Sequence, residues 1–186
     1  MDFLLGLHNR IFGFLDHVVA PWLLPSLARL VFAGVLLFYF WKSALTKVGD
    51  GLFGIFLPSA GGYAQIFPAK ADAVSYNTSA FSIGEWLVVL AGMWAEFILP
   101  ALIVLGLFTR LASIGMIVFV FIQSLTDIYG HHADAQTIGA WFDGQSGALI
   151  LDQRAFWVFL LLYLVLKGGG PFSVDRLLGI GPRRED

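Results

Sequence analysis

Four long apolar stretches dominate the chain, and each is long enough to cross a bilayer as a helix. They cover about residues 26–47, 85–107, 110–129 and 152–168. A helix needs about 20 residues to span the hydrocarbon core of a membrane. The second and third stretches meet at Phe108-Thr109-Arg110, which predicts a tight antiparallel helical hairpin.

The residues before the first span have their own helical pattern. Polar side chains fall on one face and apolar ones mostly on the other, the polar set being Asn9, Arg10, Gly13, Asp16 and His17. The pattern predicts an amphipathic helix over about residues 3–24 that lies in the membrane interface and ends at Pro21 and Pro25. A frayed extension in water is the alternative.

Composition supports the same fold class. The chain has 186 residues, of which 58% are hydrophobic and 13% charged, and its mean hydropathy is +0.80. A soluble domain has about 25% charged residues. We therefore predict an all-α membrane protein, a four-transmembrane-helix bundle with an N-terminal interfacial amphipathic helix, built as a single membrane domain over residues 1–186.

Composition also restricts the chemistry. The net charge of -2 argues against nucleic acid as a partner. The chain has no cysteine, which excludes iron–sulfur clusters and thiolate metal sites. None of the four histidines falls in the middle of a predicted span, so a haem held there by two histidines has no support.

Lysine and arginine predict the orientation. If both termini lie on one side, seven basic residues lie there, namely Arg10, Arg29, Arg110, Lys167, Arg176, Arg183 and Arg184. The other side has four, namely Lys42, Lys47, Lys70 and Arg154. The side richer in these residues is the cytoplasmic one. We therefore expect cytoplasmic termini and outward-facing loops at about 48–84 and 130–151.

Glu96, in the sequence WAEFILP, is the single ionisable residue between Leu87 and Phe108. It lies 14 residues before Arg110, and Gln123 lies 13 residues after it, so each is about 20 Å from the hairpin turn. Lys42, counted from Arg29 at the start of the first span, reaches about the same depth. These distances predict a polar layer of Glu96, Gln123 and Lys42.

Other residues lie near that layer. Asp127 is one turn further out, and Lys47 is a little over one turn beyond Lys42, where extension of its side chain to the outer interface is the expected arrangement. Trp94 lies close enough to stack on a flat ring, although ordinary packing explains it as well. Pro100 should kink its helix and leave the carbonyl of Glu96 without its usual donor.

A charge at such depth costs about 3 kcal/mol on insertion scales and favours a functional role for Glu96. The alternative is a contact that holds helices together. His131 and His132, beside Asp134 on an outer loop, are expected to exchange protons with water. Their spacing matches no specific metal motif, and we predict no metal.

The chain resembles the DoxX family of bacterial membrane proteins from about residue 26 to 179. The resemblance rests on Ala28-Arg29-Leu30 with a lysine near the outer end of the first helix, on the glutamate of WAEFILP, and on GLFTRLAS at 106–113. It continues in a histidine after the third helix and in GGGPFSVDRLLG at 168–179. The resemblance implies polar positions at Glu96, at Lys47 and at His131 or His132, and localisation in the bacterial inner membrane.

The expected function is that of an integral membrane subunit in a quinone-linked redox system. Glu96 and Lys47 are the candidate catalytic residues. The candidate quinone-binding residues are Glu96, Lys42, Lys47, Gln123, Asp127, Trp94 and His131. Electrons would come from a partner subunit. A non-catalytic assembly or scaffolding subunit is the main alternative, and an oligomeric small-solute carrier is a third.

Overall fold

The computed structural model of the protein describes residues 1–181. Arg183 and Arg184, which enter the count of basic residues, lie outside the described residues, as does the rest of 182–186. The described part consists of helices, turns and loops without a strand. Four of its helices are long and apolar enough to cross a membrane, which confirms the predicted all-helical fold class with four spans.

The four spans are α1, α4, α5 and α7. α1 comprises three α-helical segments, Asp2–Phe14, Ala20–Phe32 and Phe38–Lys47, joined by the π-helical turns Leu15–Val19 and Ala33–Leu37. α4 covers Ile83–Leu105, α5 covers Thr109–Gly130 and α7 covers Leu149–Lys167. The shorter helices are α2 (Ala60–Ile66), α3 (Pro68–Ala73), α6 (Ala135–Ile138) and α8 (Val174–Leu177).

The prediction that the N-terminal helix ends at Pro21 and Pro25 is wrong. Helical structure continues through both prolines to Lys47. Pro21 is in the first turn of its segment, directly after a π-helical turn that already interrupts the regular hydrogen-bond ladder. Pro25 is buried, and its ring packs beside Gly170. The interfacial position of residues 3–24 stays a prediction.

α1 is much longer than a single membrane span requires. Its 45-residue stretch Phe3–Lys47 would extend over about 67 Å, more than twice the hydrocarbon thickness of about 30 Å. Nearly all side chains before Val19 are exposed, whereas buried positions recur along the helix from Pro25 onward. The first part of α1 therefore extends beyond the bundle.

The core stripe of α1 recurs every four residues. Its members are Ala28, Phe32, Leu36, Phe40 and Ala44, all buried. A step of four exceeds the 3.6-residue repeat of an α-helix, so the stripe would rotate by about 40° at each step in a regular helix. The wider π-helical turn at Ala33–Leu37 compensates for part of that rotation. From Ala28 to Phe40 the stripe packs on buried side chains of α4, α5 and α7.

Arg29 fixes one end of the bundle. Its guanidinium donates to the carbonyls of Ile103 (3.1 Å) and Val104 (2.5 Å), near the C-terminus of α4. It also donates to Gly169 (3.1 Å) and Phe172 (2.8 Å) after α7. The last carbonyls of a helix have no partner within the helix, so Arg29 helps to satisfy the end of α4 and joins it to the segment after α7.

Asp175 completes that end from the C-terminal segment. Its carboxylate accepts from the backbone N–H groups of Phe108 (2.6 Å) and Thr109 (2.9 Å), at the N-terminus of α5. A carboxylate is favourable at a helix N-terminus. Gly106 in the turn has φ +72, and a Cβ there would lie 2.6 Å from Ser173. The segment GGGPFSVDRLLG therefore packs directly on the hairpin turn.

Candidate functional site

A cavity of about 440 Å³ lies between α4 and α5, in the half of the bundle away from Arg29. Of the predicted site residues, its lining contains Lys47, Glu96, Gln123, Asp127 and His131. Lys42 and Trp94 do not line it. Ser43, Gln65 and Thr126, which the sequence did not single out, also contribute polar groups to the wall.

Lys47 and Glu96 form a buried ion pair on this wall. The ammonium lies 2.9 Å from Oε2 and 3.1 Å from Oε1 of Glu96, and the two residues are 4% and 2% exposed. Lys47 also donates to the hydroxyl (2.9 Å) and carbonyl (3.2 Å) of Ser43. The Ser43 hydroxyl donates to Oε1 of Glu96 at 3.0 Å. The contacts therefore form a closed network between α1 and α4.

Two expectations about the lysines are wrong. Lys42 was expected in the polar layer, but it is exposed. It lies two residues from both Phe40 and Ala44, which are buried, and therefore points away from the core. Lys47 was expected to extend to the outer interface. It instead lies three residues after Ala44, on the core side of α1, and pairs with Glu96.

The indole of Trp94 contacts the loop after α1. Its Nε1 donates to the carbonyl of Ile55 at 2.9 Å, and its ring lies 5.9 Å from that of Phe56. Trp94 therefore does not stack on a ring in the cavity, because it does not line it. The side chain instead attaches this loop to the middle of α4.

Pro100 lies within the continuous helix α4. The sequence predicted that the carbonyl of Glu96, four residues earlier, would need a new donor. In the structure the indole Nε1 of Trp41 donates to the carbonyl of Phe97 at 3.1 Å. Trp41 therefore supplies a donor to the turn before Pro100, but it binds the carbonyl of Phe97 and not that of Glu96. It adds a second polar contact between α1 and α4.

Gln123 has one free polar atom. Its Nε2 donates to the hydroxyl of Tyr39 at 3.2 Å. Its Oε1 is buried and has no hydrogen-bond partner among the described residues. A buried acceptor without a donor costs free energy comparable to a lost hydrogen bond. Gln123 also lines the cavity, so its amide contributes a polar group to the wall.

A second ion pair joins α5 to α7. Nη2 of Arg154 lies 2.6 Å from Oδ2 of Asp127, and Nη1 donates to the hydroxyl of Ser124 at 2.9 Å. Arg154 is 3% exposed, so the guanidinium is inside the bundle. The sequence had assigned Arg154 only to the outer basic residues. The sequence did contain a signal for this pair, because Arg154 starts the fourth span at the level where Asp127 ends the third.

His131 lies at the outer rim of the cavity. Its Nε2 is 2.9 Å from the carbonyl of Gln65. A carbonyl can only accept, so Nε2 carries the proton and a neutral ring leaves Nδ1 as an acceptor. The contact connects the end of α5 to the loop that contains α2. His131 is exposed, as its expected role in proton exchange requires.

Asp134, close to His131 in sequence, has a structural task. Its carboxylate caps α6 by accepting from the backbone N–H of Thr137 at 2.7 Å, which holds the pKa of Asp134 below its usual range. Within residues 1–181, no group of three or more metal-ligating side chains comes together.

The cavity opens sideways between two spans. Val88 and Ala91 of α4 and Val118 and Ile122 of α5 line it, and all four are also exposed on the outside of the bundle. Small residues on the lining, such as Ala95 and Gly115, leave space between the helices. In a membrane the opening would face lipid acyl chains.

Fold and composition together indicate an all-helical membrane protein with a partly polar cavity between two of its four spans. No protein-family model, curated protein or solved structure matches the chain significantly.

Proposed function

We propose that the chain is a DoxX-like subunit of a quinone-linked redox system in the bacterial inner membrane, and that the cavity binds the quinone headgroup. The observation that carries the proposal is the buried Lys47–Glu96 pair on the wall of a cavity that opens between apolar helices. Its volume of about 440 Å³ falls in the range of about 300–1,000 Å³ for small-molecule sites.

The chemistry of a quinone suits such a site. Interconversion of a quinone and its quinol moves two electrons and two protons. Glu96 is placed to accept or donate a proton inside the bundle, and His131 at the rim is placed to exchange it with water. The ammonium of Lys47 directs its protons to Ser43 and Glu96, so its role is to hold the carboxylate in position. A partner subunit supplies or receives the electrons.

A scaffolding subunit is the second candidate, and one observation favours it. Both buried ion pairs join neighbouring spans, Lys47–Glu96 between α1 and α4 and Arg154–Asp127 between α7 and α5. Polar contacts of this kind hold membrane helices together without any chemistry. Under that proposal the cavity takes up only lipid, and the chain provides a surface for other subunits.

The variant Glu96→Gln distinguishes the two candidates. Glutamine keeps a carbonyl oxygen for Lys47 but does not titrate near neutral pH. If Glu96 transfers protons, the variant should still fold and insert, with a lower melting temperature because Lys47 loses its counterion, but lose the quinone-dependent turnover of the intact complex. Melting temperature, membrane content and turnover would be measured together.

Glu85→Gln is the matched control. Glu85 lies on the same helix but pairs with Lys70 near the surface, with side chains 23% and 39% exposed, and does not line the cavity. This variant should keep full turnover. Full turnover in Glu96→Gln as well would contradict the proposed role and favour the scaffolding subunit.

A further inference from the structure

An apolar loop with the sequence GDGLFGIFL, residues 49–57, follows α1. Its large apolar side chains are all exposed on the surface of the chain, namely Leu52, Phe53, Ile55, Phe56 and Leu57. Asp50 is the only charged residue between positions 48 and 69. An exposed apolar patch of this kind marks contact with another apolar surface, either a protein or a membrane.

The apolar loop is compact, and its two ends meet. The N–H of Gly49 donates to the carbonyl of Gly54 at 3.1 Å, and a Cβ at Gly49 would overlap the carbonyl oxygen of Leu57. The N–H groups of Phe56 and Leu57 both donate to the carbonyl of Phe53, at 2.8 and 3.1 Å. Part of the backbone is therefore paired within the loop itself.

Two indoles of α4 bind further carbonyls of the loop. Nε1 of Trp86 donates to the carbonyl of Phe56 at 3.2 Å, and Nε1 of Trp94 donates to the carbonyl of Ile55 at 2.9 Å. A carbonyl that faces water needs no such donor, whereas an unpaired carbonyl in hydrocarbon is costly. The two bonds therefore meet a requirement that arises beside lipid and not in water.

The end of α1 is also closed by protein groups. The carbonyl of Thr46 accepts from the hydroxyl of Ser59 at 2.8 Å, and the carbonyl of Lys47 accepts from the N–H of Ser59 at 2.9 Å. The last carbonyls of a helix have no partner within the helix. Because Ser59 supplies both donors, α1 can end at a depth that water does not reach.

The contacts with α4 indicate that depth. Glu85 pairs with Lys70 near the N-terminus of α4, where both side chains are partly exposed, and marks the membrane boundary there. From Glu85 to Leu105 the helix rises about 30 Å, which is the thickness of the hydrocarbon core. Trp86 lies directly after Glu85, and Trp94 lies about 13 Å further along the helix axis. The two carbonyls that these indoles bind therefore lie beside the first part of the span.

We propose that residues 49–57 form a re-entrant loop whose apolar side chains lie among phospholipid acyl chains, in the leaflet at the end of the bundle opposite Arg29. The loop packs directly on a membrane-crossing helix, so its exposed surface continues the lipid-facing surface of the spans. The exposed carboxylate of Asp50 stays near the headgroups and limits the insertion to about 5–10 Å. None of residues 49–57 lines the cavity, so this inference does not depend on the proposed function.

Spin labels on single cysteines test the inference, and the chain has no cysteine of its own. The full chain with a nitroxide at Phe53→Cys would be placed in phosphatidylcholine nanodiscs. Power-saturation measurements give its collision rates with oxygen, which concentrates in hydrocarbon, and with a neutral nickel chelate, which stays in water. We expect nickel collisions at least about fivefold rarer than for a label at Ser75→Cys, and oxygen collisions more frequent.

Phe121→Cys on α5 is the matched lipid control, because Phe121 is 63% exposed and Phe53 is 69% exposed. Its label should resemble the label at position 53. If Phe53→Cys does not fold, Leu52→Cys, at a side chain that is 95% exposed, takes its place.

Trp94→Phe tests the attachment of the loop, because it removes the donor to Ile55 and keeps an aromatic ring beside Phe56. With the label at position 53 it should raise nickel collisions at least about twofold, since the freed carbonyl turns towards water. Trp141→Phe, which removes a bond to the carbonyl of Leu151, should leave them unchanged. Unchanged collisions in Trp94→Phe as well would overturn the role of its indole in holding the loop at this depth.

The label at position 53 has three possible results. Frequent oxygen collisions with rare nickel collisions support the proposal. Nickel collisions as frequent as at position 75 would put the loop in water and overturn it. Rare collisions with both reagents would show that protein, such as a second copy of the chain, covers the loop, which also overturns the proposed lipid contact.

Discussion

Removing one partner of the Lys47–Glu96 pair should destabilise the protein far more than removing both. In Lys47→Met, the carboxylate of Glu96 remains buried and keeps one donor, the Ser43 hydroxyl at 3.0 Å. In Glu96→Leu, the ammonium remains buried and keeps the two oxygens of Ser43. Each single variant therefore leaves a buried charge without its counterion.

The expected magnitudes follow from burial. Breaking a buried pair costs about 3–5 kcal/mol, whereas replacing both partners by apolar residues is often neutral or stabilising. Ser43 partly compensates either charge, so we expect about 3 kcal/mol for each single variant, at the lower end of that range. The double variant Lys47→Met with Glu96→Leu should remain within about 1 kcal/mol of the parent.

Reversible unfolding in mixed micelles with increasing sodium dodecyl sulfate, followed by circular dichroism, gives the four free energies of unfolding. The Lys70–Glu85 pair, which joins α3 to α4, is the matched control, because its side chains are 39% and 23% exposed. Exposed pairs contribute about 0–1 kcal/mol. The control cycle should therefore show little coupling.

Additive effects would refute this reasoning. If the two single costs sum to the cost of the double variant, the residues do not interact, and the closed network with Ser43 does not form. In that case each side chain would contact water or a different partner.

Three further predictions concern topology, the hairpin turn and the cavity opening. Single cysteines at Ser75 or Gln145 should react with an impermeant thiol reagent from outside intact cells, because both loops are predicted to face outward; labelling only after permeabilisation would reverse the orientation. Gly106→Ala should lower the free energy of unfolding by about 2 kcal/mol or more, because a positive φ and close side chains oppose a Cβ. The control Gly13→Ala, at a position with open space around it, should be neutral or stabilising by up to about 1 kcal/mol. Ala91→Trp should narrow the opening and slow quinone binding in stopped-flow measurements at an unchanged melting temperature; an unchanged rate would place the entry elsewhere.

The spans were predictable because lipid imposes a simple requirement. A run of about 20 apolar residues has few alternatives to a membrane helix, and the turn between α4 and α5 is marked by Gly106 and by Arg110 after it. The continuation of the N-terminal helix into the first span was not predictable from the two prolines. Proline stops a regular α-helix, but the π-helical turn Leu15–Val19 precedes Pro21 and changes that rule locally.

The partner of Glu96 depended on rotation about α1, which residue counting does not measure. Depth estimates from Arg29 put Lys42 level with Glu96, but depth alone does not say which face a side chain occupies. The buried stripe ending at Ala44 puts Lys47 on the core face. A hydrophobic pattern with a constant spacing of four was the signal in the sequence that indicates a widened turn.

Arg154 shows a second limit of sequence reasoning. A basic residue at the end of a span is usually counted as an interface residue, and nothing local distinguishes a buried arginine from an exposed one. Its burial follows from Asp127, which is far away in sequence but on a neighbouring helix. Only the packing of α7 on α5 brings the two together.

The pairing of charges bears on the remaining alternative, a small-solute carrier. Lys47 neutralises Glu96 and Arg154 neutralises Asp127. These two pairs give the cavity wall no net charge that would concentrate an ion there. An ion that entered would compete with two formed ion pairs while losing its hydration. A neutral molecule with an apolar tail loses little on transfer from lipid through the opening beside Val88 and Val118. The same pairing that makes the wall stable therefore favours a ligand from the membrane over one from water.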